Sequence, residues 1–109
     1  MVPLPDEKMI ASLEAKAGSV ARVLKILANE KRLLILCRLA AVGEMPAAAL
    51  ASDVSLSQSA LSQHLARMRE QGLVTFRRES QTLHYSIADP QTDRLLLALK
   101  DIYCPQLAS

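Results

Sequence analysis

The side chains best suited to covalent chemistry in this sequence are two thiols. Cys37 lies in "LLILCRLAAVG" and Cys104 in "KDIYCPQLAS", and the 109 residues include no other cysteine. A thiol can serve as a soft-metal ligand, as an oxidisable nucleophile or as a small apolar side chain. Local sequence activates neither one. Cys37 follows Leu33 by one helical turn on a face that reads as buried, and Cys104 closes a helix-like run, where the helix dipole disfavours a thiolate. Soft-metal sites gather three or four thiolates or imidazoles, and two cysteines with two dispersed histidines, His64 and His84, do not readily supply that set. No nucleophile–base constellation or phosphate-binding loop is present, so an enzyme is not expected.

A second set of residues has recognition chemistry. In "SLSQSALSQHLARMREQGLV" the apolar residues Leu61, Leu65 and Met68 recur on one helix face. Ser59, Ser62, Gln63 and Ala66 then face outward, with Gln58 at the exposed N-terminus. Small hydroxyls and amides approach base edges closely, and Gln can pair bidentately with adenine. The helix N-terminus itself attracts phosphate. From Gln58 to Arg67 is about 14 Å of helix, enough for one major-groove encounter. Arg67, Arg77 and Arg78 are the expected phosphate clamps, with Gln81 at a turn tip reaching the minor groove. His64 either donates to a phosphate or supports helix packing, and His84 sits in a strand-like run with no visible partner.

The elements that position these groups follow from periodicity and turn chemistry. Helical patterning covers Asp6 to Ala17, is interrupted at Gly18-Ser19, and resumes from about Val20 to Ala28. Asn29 is suited to N-cap a helix from Glu30 to Ala41 that ends at Gly43. Pro46 suits the first turn of a short helix. Ser57 caps the Gln58 helix, and Gly72 occupies its C′ position. Val74 and Phe76, then Leu83, Tyr85 and Ile87, alternate with polar residues around a short turn, the pattern of a β-hairpin. Asp89-Pro90 opens a last helix. The reading is a mainly α, single-domain winged helix–turn–helix over 1–109, with five to six helices and a two-stranded wing. The helix–turn–helix occupies about 46–71 and the wing about 73–87. The first and last helices, about 6–17 and 90–103, carry apolar arcs wider than one small core can cover, and are expected to build a homodimer.

Composition agrees. Half of the residues are apolar but only 3 % are aromatic, so the core rests on Leu, Ala, Val and Ile. The net charge of +2 identifies no partner by itself, but positive charge is central. Residues 19–41 carry Arg22, Lys25, Lys31, Arg32 and Arg38 against Glu30 alone. No secretory leader is legible and no apolar run reaches the ~20 residues needed to span a bilayer. A cytoplasmic location, no membrane partner and no cofactor are expected.

The strings "ANEKRLLILCRLA", "LSQSALSQHLARMREQGLV" and "RRESQTLHYSIADP" together resemble the arsenic-repressor (ArsR) family of bacterial winged-helix repressors. The resemblance covers about residues 20–105. It implies a homodimer that binds inverted-repeat operator DNA when unliganded and is loosened by an inducer, often a metal ion. Many members carry Cys-x-Cys in the short helix; here "EMPAAALA" has Pro46 and Ala48 instead, and the last helix has no His for the family's other metal pattern. "LLILC" and "YCP" are similar to the sulfide-responsive, BigR/SqrR-like branch. That resemblance implies that Cys37 and Cys104 form the sensor, that persulfide or polysulfide sulfur bridges them, and that the bridged dimer releases DNA and derepresses sulfide-detoxification genes. A peroxide or general thiol switch and a two-thiolate Cu(I) or As(III) sensor use the same pair. A DNA-independent interaction protein is the alternative of another class.

Overall fold

The computed structural model describes residues 6–105. Its elements run α1 (Glu7–Leu27), α2 (Glu30–Val42), β1 (Met45–Pro46), α3 (Ala47–Asp53), α4 (Gln58–Glu70), β2 (Val74–Glu79), β3 (Thr82–Ile87) and α5 (Pro90–Tyr103). Capping chemistry sets the helix starts. Asn29 Oδ1 accepts from the Arg32 N–H at 3.0 Å and Ser57 Oγ from the Ala60 N–H at 3.0 Å. The Asp89 carboxylate accepts from the N–H groups of Gln91 and Thr92 and from the Thr92 hydroxyl, the last at 2.6 Å. Each bond from a backbone N–H satisfies a donor that the first helical turn leaves orphaned. Gly43 and Gly72 follow α2 and α4 with φ of 94° and 75°, which a side chain would strain.

Two expectations change. The first helix is not broken at Gly18-Ser19: α1 is one helix of 21 residues, so the fold has five helices among the described residues. One internal glycine costs about 1 kcal/mol, whereas a break would create two more helix ends, each with unsatisfied backbone groups. Ser19 turns its hydroxyl back to the Lys16 carbonyl at 3.0 Å rather than capping a new helix. The wing is also more than a hairpin. Met45 and Pro46 pair antiparallel with Tyr85 and His84, giving a three-stranded sheet of order β1-β3-β2. Pro46 is tolerated because β1 is an edge strand.

One core joins the elements. Ile35, Leu36 and Leu39 of α2 meet Leu50 of α3, Leu61, Leu65 and Met68 of α4, Leu73 and Val74 at the start of the wing, and Leu96 of α5. Polar ties lock the helix–turn–helix to this body. Lys31 Nζ donates to the Val54 carbonyl at 2.7 Å, at the end of α3, and Arg38 pairs with Asp53 at 2.6 Å. The α3–α4 turn places Ser55 at φ 58°, and the Leu56 N–H returns to the Ala51 carbonyl at 2.9 Å.

Candidate nucleic-acid interface and thiol pair

The apolar stripe of α4 is buried as its spacing requires, and this fixes what its other face presents. Gln58, Ser59, Ser62, Gln63, Ala66 and Arg67 are exposed, and His64 is half-buried at the edge. Burial, and then the charges of Arg32 and Arg67, push the His64 pKa down, so its imidazole is neutral near pH 7. Arg69, on another side of the helix, lies over the Phe76 ring at 4.4 Å, and Phe76 packs on Tyr85 with centroids 5.5 Å apart. This cation–π stack holds the wing against the helix. Sequence reasoning missed it because it rests on a contact between two elements.

The wing residues divide. Arg78 and Gln81 are exposed, Gln81 in the two-residue turn between β2 and β3, and Arg78 has no ion-pair partner among the described residues. Arg77, expected as a phosphate clamp, is ion-paired on the surface. Its Nε and Nη2 donate to the Glu44 carboxylate at 2.8 to 3.1 Å, and its Nη1 donates to Glu79 at 3.0 Å. Glu44 is 33 residues away in sequence and comes within reach because β1 joins the sheet. The Arg77 hydrogen bonds hold the Glu44 carboxyl below the usual carboxylate range. His84 is not without a partner either: its Nε2 lies 3.6 Å from Glu79.

The thiols belong to two helices that pack on each other, α2 and α5. Cys37 is half-buried against the core, one turn after Leu33. Cys104 caps α5, its N–H donating to the Lys100 carbonyl at 2.7 Å, and is half-buried as well. Burial, and then the nearness of Cys104, push the Cys37 thiol up. Two thiols 67 positions apart in sequence thus belong to helices in contact. No group of three or more His, Cys, Asp or Glu among the described residues could hold a metal ion. No helix among them is long and apolar enough to cross a membrane.

A short helix–turn–helix whose second helix shows a polar face, followed by a sheet stacked on its flank, defines a winged helix–turn–helix protein. Residues 29–75 match the sequence pattern of the family described as "bacterial regulatory protein, arsR family". The HTH-type transcriptional regulator YgaV of Escherichia coli is 43 % identical over 96 residues, spanning 88 % of this chain and 97 % of that protein. Among solved structures, reduced HlyU from Vibrio cholerae has a TM-score of 0.80 at 41 % identity, covering 85 % of this chain and 97 % of that one. The transcriptional repressor BigR from Xylella fastidiosa has a TM-score of 0.79 at 33 % identity, covering 86 % and 95 %. The chain belongs to the ArsR family and is a transcriptional regulator rather than an enzyme.

Proposed function

We propose that this regulator is a homodimeric repressor whose reduced form binds operator DNA and whose input is sulfane sulfur acting on Cys37 and Cys104. The observation that carries the reading is the packing of α5 on α2, the two helices that end in or carry the thiols, with each thiol left partly accessible. α4 enters the major groove with Ser59, Ser62 and Gln63 toward base edges, and Arg67, Arg78 and Gln81 meet the backbone and minor groove. The dimer is supported by apolar residues left in water. Met9, Ile10, Leu13, Val20 and Leu24 of α1 are exposed, as are Leu97, Ile102 and Tyr103 of α5, the last at 76 %.

The chemistry balances without an outside oxidant. A low-molecular-weight persulfide transfers its outer sulfur to a cysteine thiolate, giving a cysteine persulfide and a released thiol. Attack by the second thiolate on the inner sulfur displaces hydrogen sulfide and closes a disulfide; two cysteine persulfides condense to a trisulfide, again losing hydrogen sulfide. Either bridge ties the end of α5 to α2, next to the apolar surface assigned to the dimer. Half-site spacing is a geometric constraint, so a shift of that surface weakens operator binding. The related BigR is described as a repressor, and one HlyU structure is described as that of the reduced protein.

Intact mass spectrometry after persulfide treatment tests this. A gain of one sulfur with loss of two hydrogens (trisulfide), or loss of two hydrogens with persulfide but not with peroxide (disulfide), absent from Cys37→Ser and Cys104→Ser variants and accompanied by operator release, is the expected result. Loss of two hydrogens alone, with peroxide and persulfide equally effective, would make the pair a general oxidant switch.

A further inference from the structure

The five basic residues of segment 19–41 are not equivalent once folded. Lys31 is committed to the Val54 carbonyl and Arg38 to Asp53. Arg22, Lys25 and Arg32 instead converge, with Arg67 of α4, on a hollow of about 220 Å³ completed by Ile26 and Gln71. No carboxylate lines it, although Glu70 and Asp89 line the adjoining hollow that shares Arg22, Ile26 and Gln71, and none of its four cations has an ion-pair partner among the described residues. Arg32 Nε donates to the Ile26 carbonyl at 3.0 Å, which anchors the guanidinium and leaves its terminal nitrogens free among the described residues. Four like charges around one opening are mutually repulsive, an arrangement that a bound anion relieves.

We infer that this hollow is a phosphate-binding pocket, taking a phosphate of the operator backbone beside the recognition helix. The inference rests on the DNA-binding reading and extends it to residues of α1 and α2. Geometry selects the DNA backbone. Arg67 follows Gln63 by one turn of α4, and Gln71 follows Arg67 by another, so a single edge of the helix leads from the base-reading face into the hollow. Arg69, which stacks on the wing, is two residues from Arg67 and so about 160° round the helix. A helix in the major groove has a phosphate backbone on each side. The wing lies on the Arg69 flank, and the hollow faces the other. A dimer partner leaves it open: Arg22 is two residues from exposed Leu24, again about 160° round α1 from the apolar stripe.

The test is the salt dependence of duplex binding by the Arg22→Ala/Lys25→Ala double variant, both side chains being exposed and outside the core. Fluorescence anisotropy with an operator duplex and a scrambled duplex, between about 50 and 200 mM salt, gives the slope of log affinity against log salt. Losing the one phosphate contact that the hollow makes lowers that slope by about 0.9 per protomer and weakens both duplexes alike. An Arg22→Lys/Lys25→Arg variant keeps the wild-type slope, and circular dichroism verifies that all variants are folded. A wild-type slope in the folded Ala variant overturns the pocket while leaving DNA binding intact. Wild-type protein that binds neither duplex overturns the DNA reading itself. Saturable binding of inorganic phosphate at Arg22 and Lys25, with an unchanged DNA slope, overturns the operator-backbone assignment in favour of free phosphate.

Discussion

Bridging Cys37 to Cys104 should change stability as well as DNA affinity, and by an amount that can be worked out. The bridge closes a loop of 67 positions, and restricting that loop in the unfolded chain is worth about 4 kcal/mol. In the native state α5 is packed on α2, and Leu96 of α5 is fully buried in the core, so the bridge joins two elements already in contact. If the bridge closes without distorting that contact, the whole gain appears as stability. For a 109-residue chain, with unfolding entropy near 2.1 cal/mol/K per residue, about 4 kcal/mol corresponds to a rise of roughly 15–20 °C in Tm. The assay is calorimetric melting of reduced, persulfide-treated and Cys104→Ser protein at one fixed protomer concentration, since a dimer's Tm depends on concentration. Non-reducing electrophoresis establishes that the bridge is within one protomer. An intramolecularly bridged protein melting within a few degrees of the reduced one would refute the reasoning. It would mean that closing the bridge distorts the α2–α5 contact by nearly as much as it restricts the unfolded chain.

Three shorter predictions accompany it. Gln63→Ala should cost about 1–3 kcal/mol of discrimination at its contacted base pair and leave the salt slope unchanged; loss of affinity for all sequences alike would place Gln63 outside base reading. Leu65→Ala, which removes a fully buried side chain from α4, should cost about 2–5 kcal/mol of folding stability in denaturant melts. Alkylation of Cys37 in the Cys104→Ser protein, followed by mass spectrometry against pH, should reach half-maximal rate at higher pH than a free thiol, because burial persists, but at lower pH than in the wild type, where Cys104 adds to the upward shift. The sign for stability follows: a thiol held protonated by the fold stabilises it below the unfolded pKa, and that contribution is lost as pH rises through the folded value.

Much of this protein is legible in one dimension because the deciding interactions are local. Asn29, Ser57 and Asp89 announce helix starts, since a cap bonds to a backbone group two or three residues on. The spacing of Leu61, Leu65 and Met68 determines which face of α4 is buried, and hence that Ser59, Ser62 and Gln63 are exposed. Alternation from Val74 to Ile87 specifies the hairpin. Gly18 misled because a helix break is settled by the sum of many residues' preferences rather than by one weak position. What only the tertiary structure decided involves partners far apart in the chain. Glu44 reaches Arg77 through the pairing of β1 with β3 and forms an exposed ion pair with this expected phosphate clamp. Lys31 and Arg38 look like Arg22 and Lys25 in the sequence, yet folding commits the first two to α3 and its C-terminal end and leaves the others around a carboxylate-free hollow. Cys104, unremarkable at a helix end, gains its significance from the packing of α5 on α2. Charge and thiol chemistry depend on distance in space, and sequence spacing encodes that distance only within a single element.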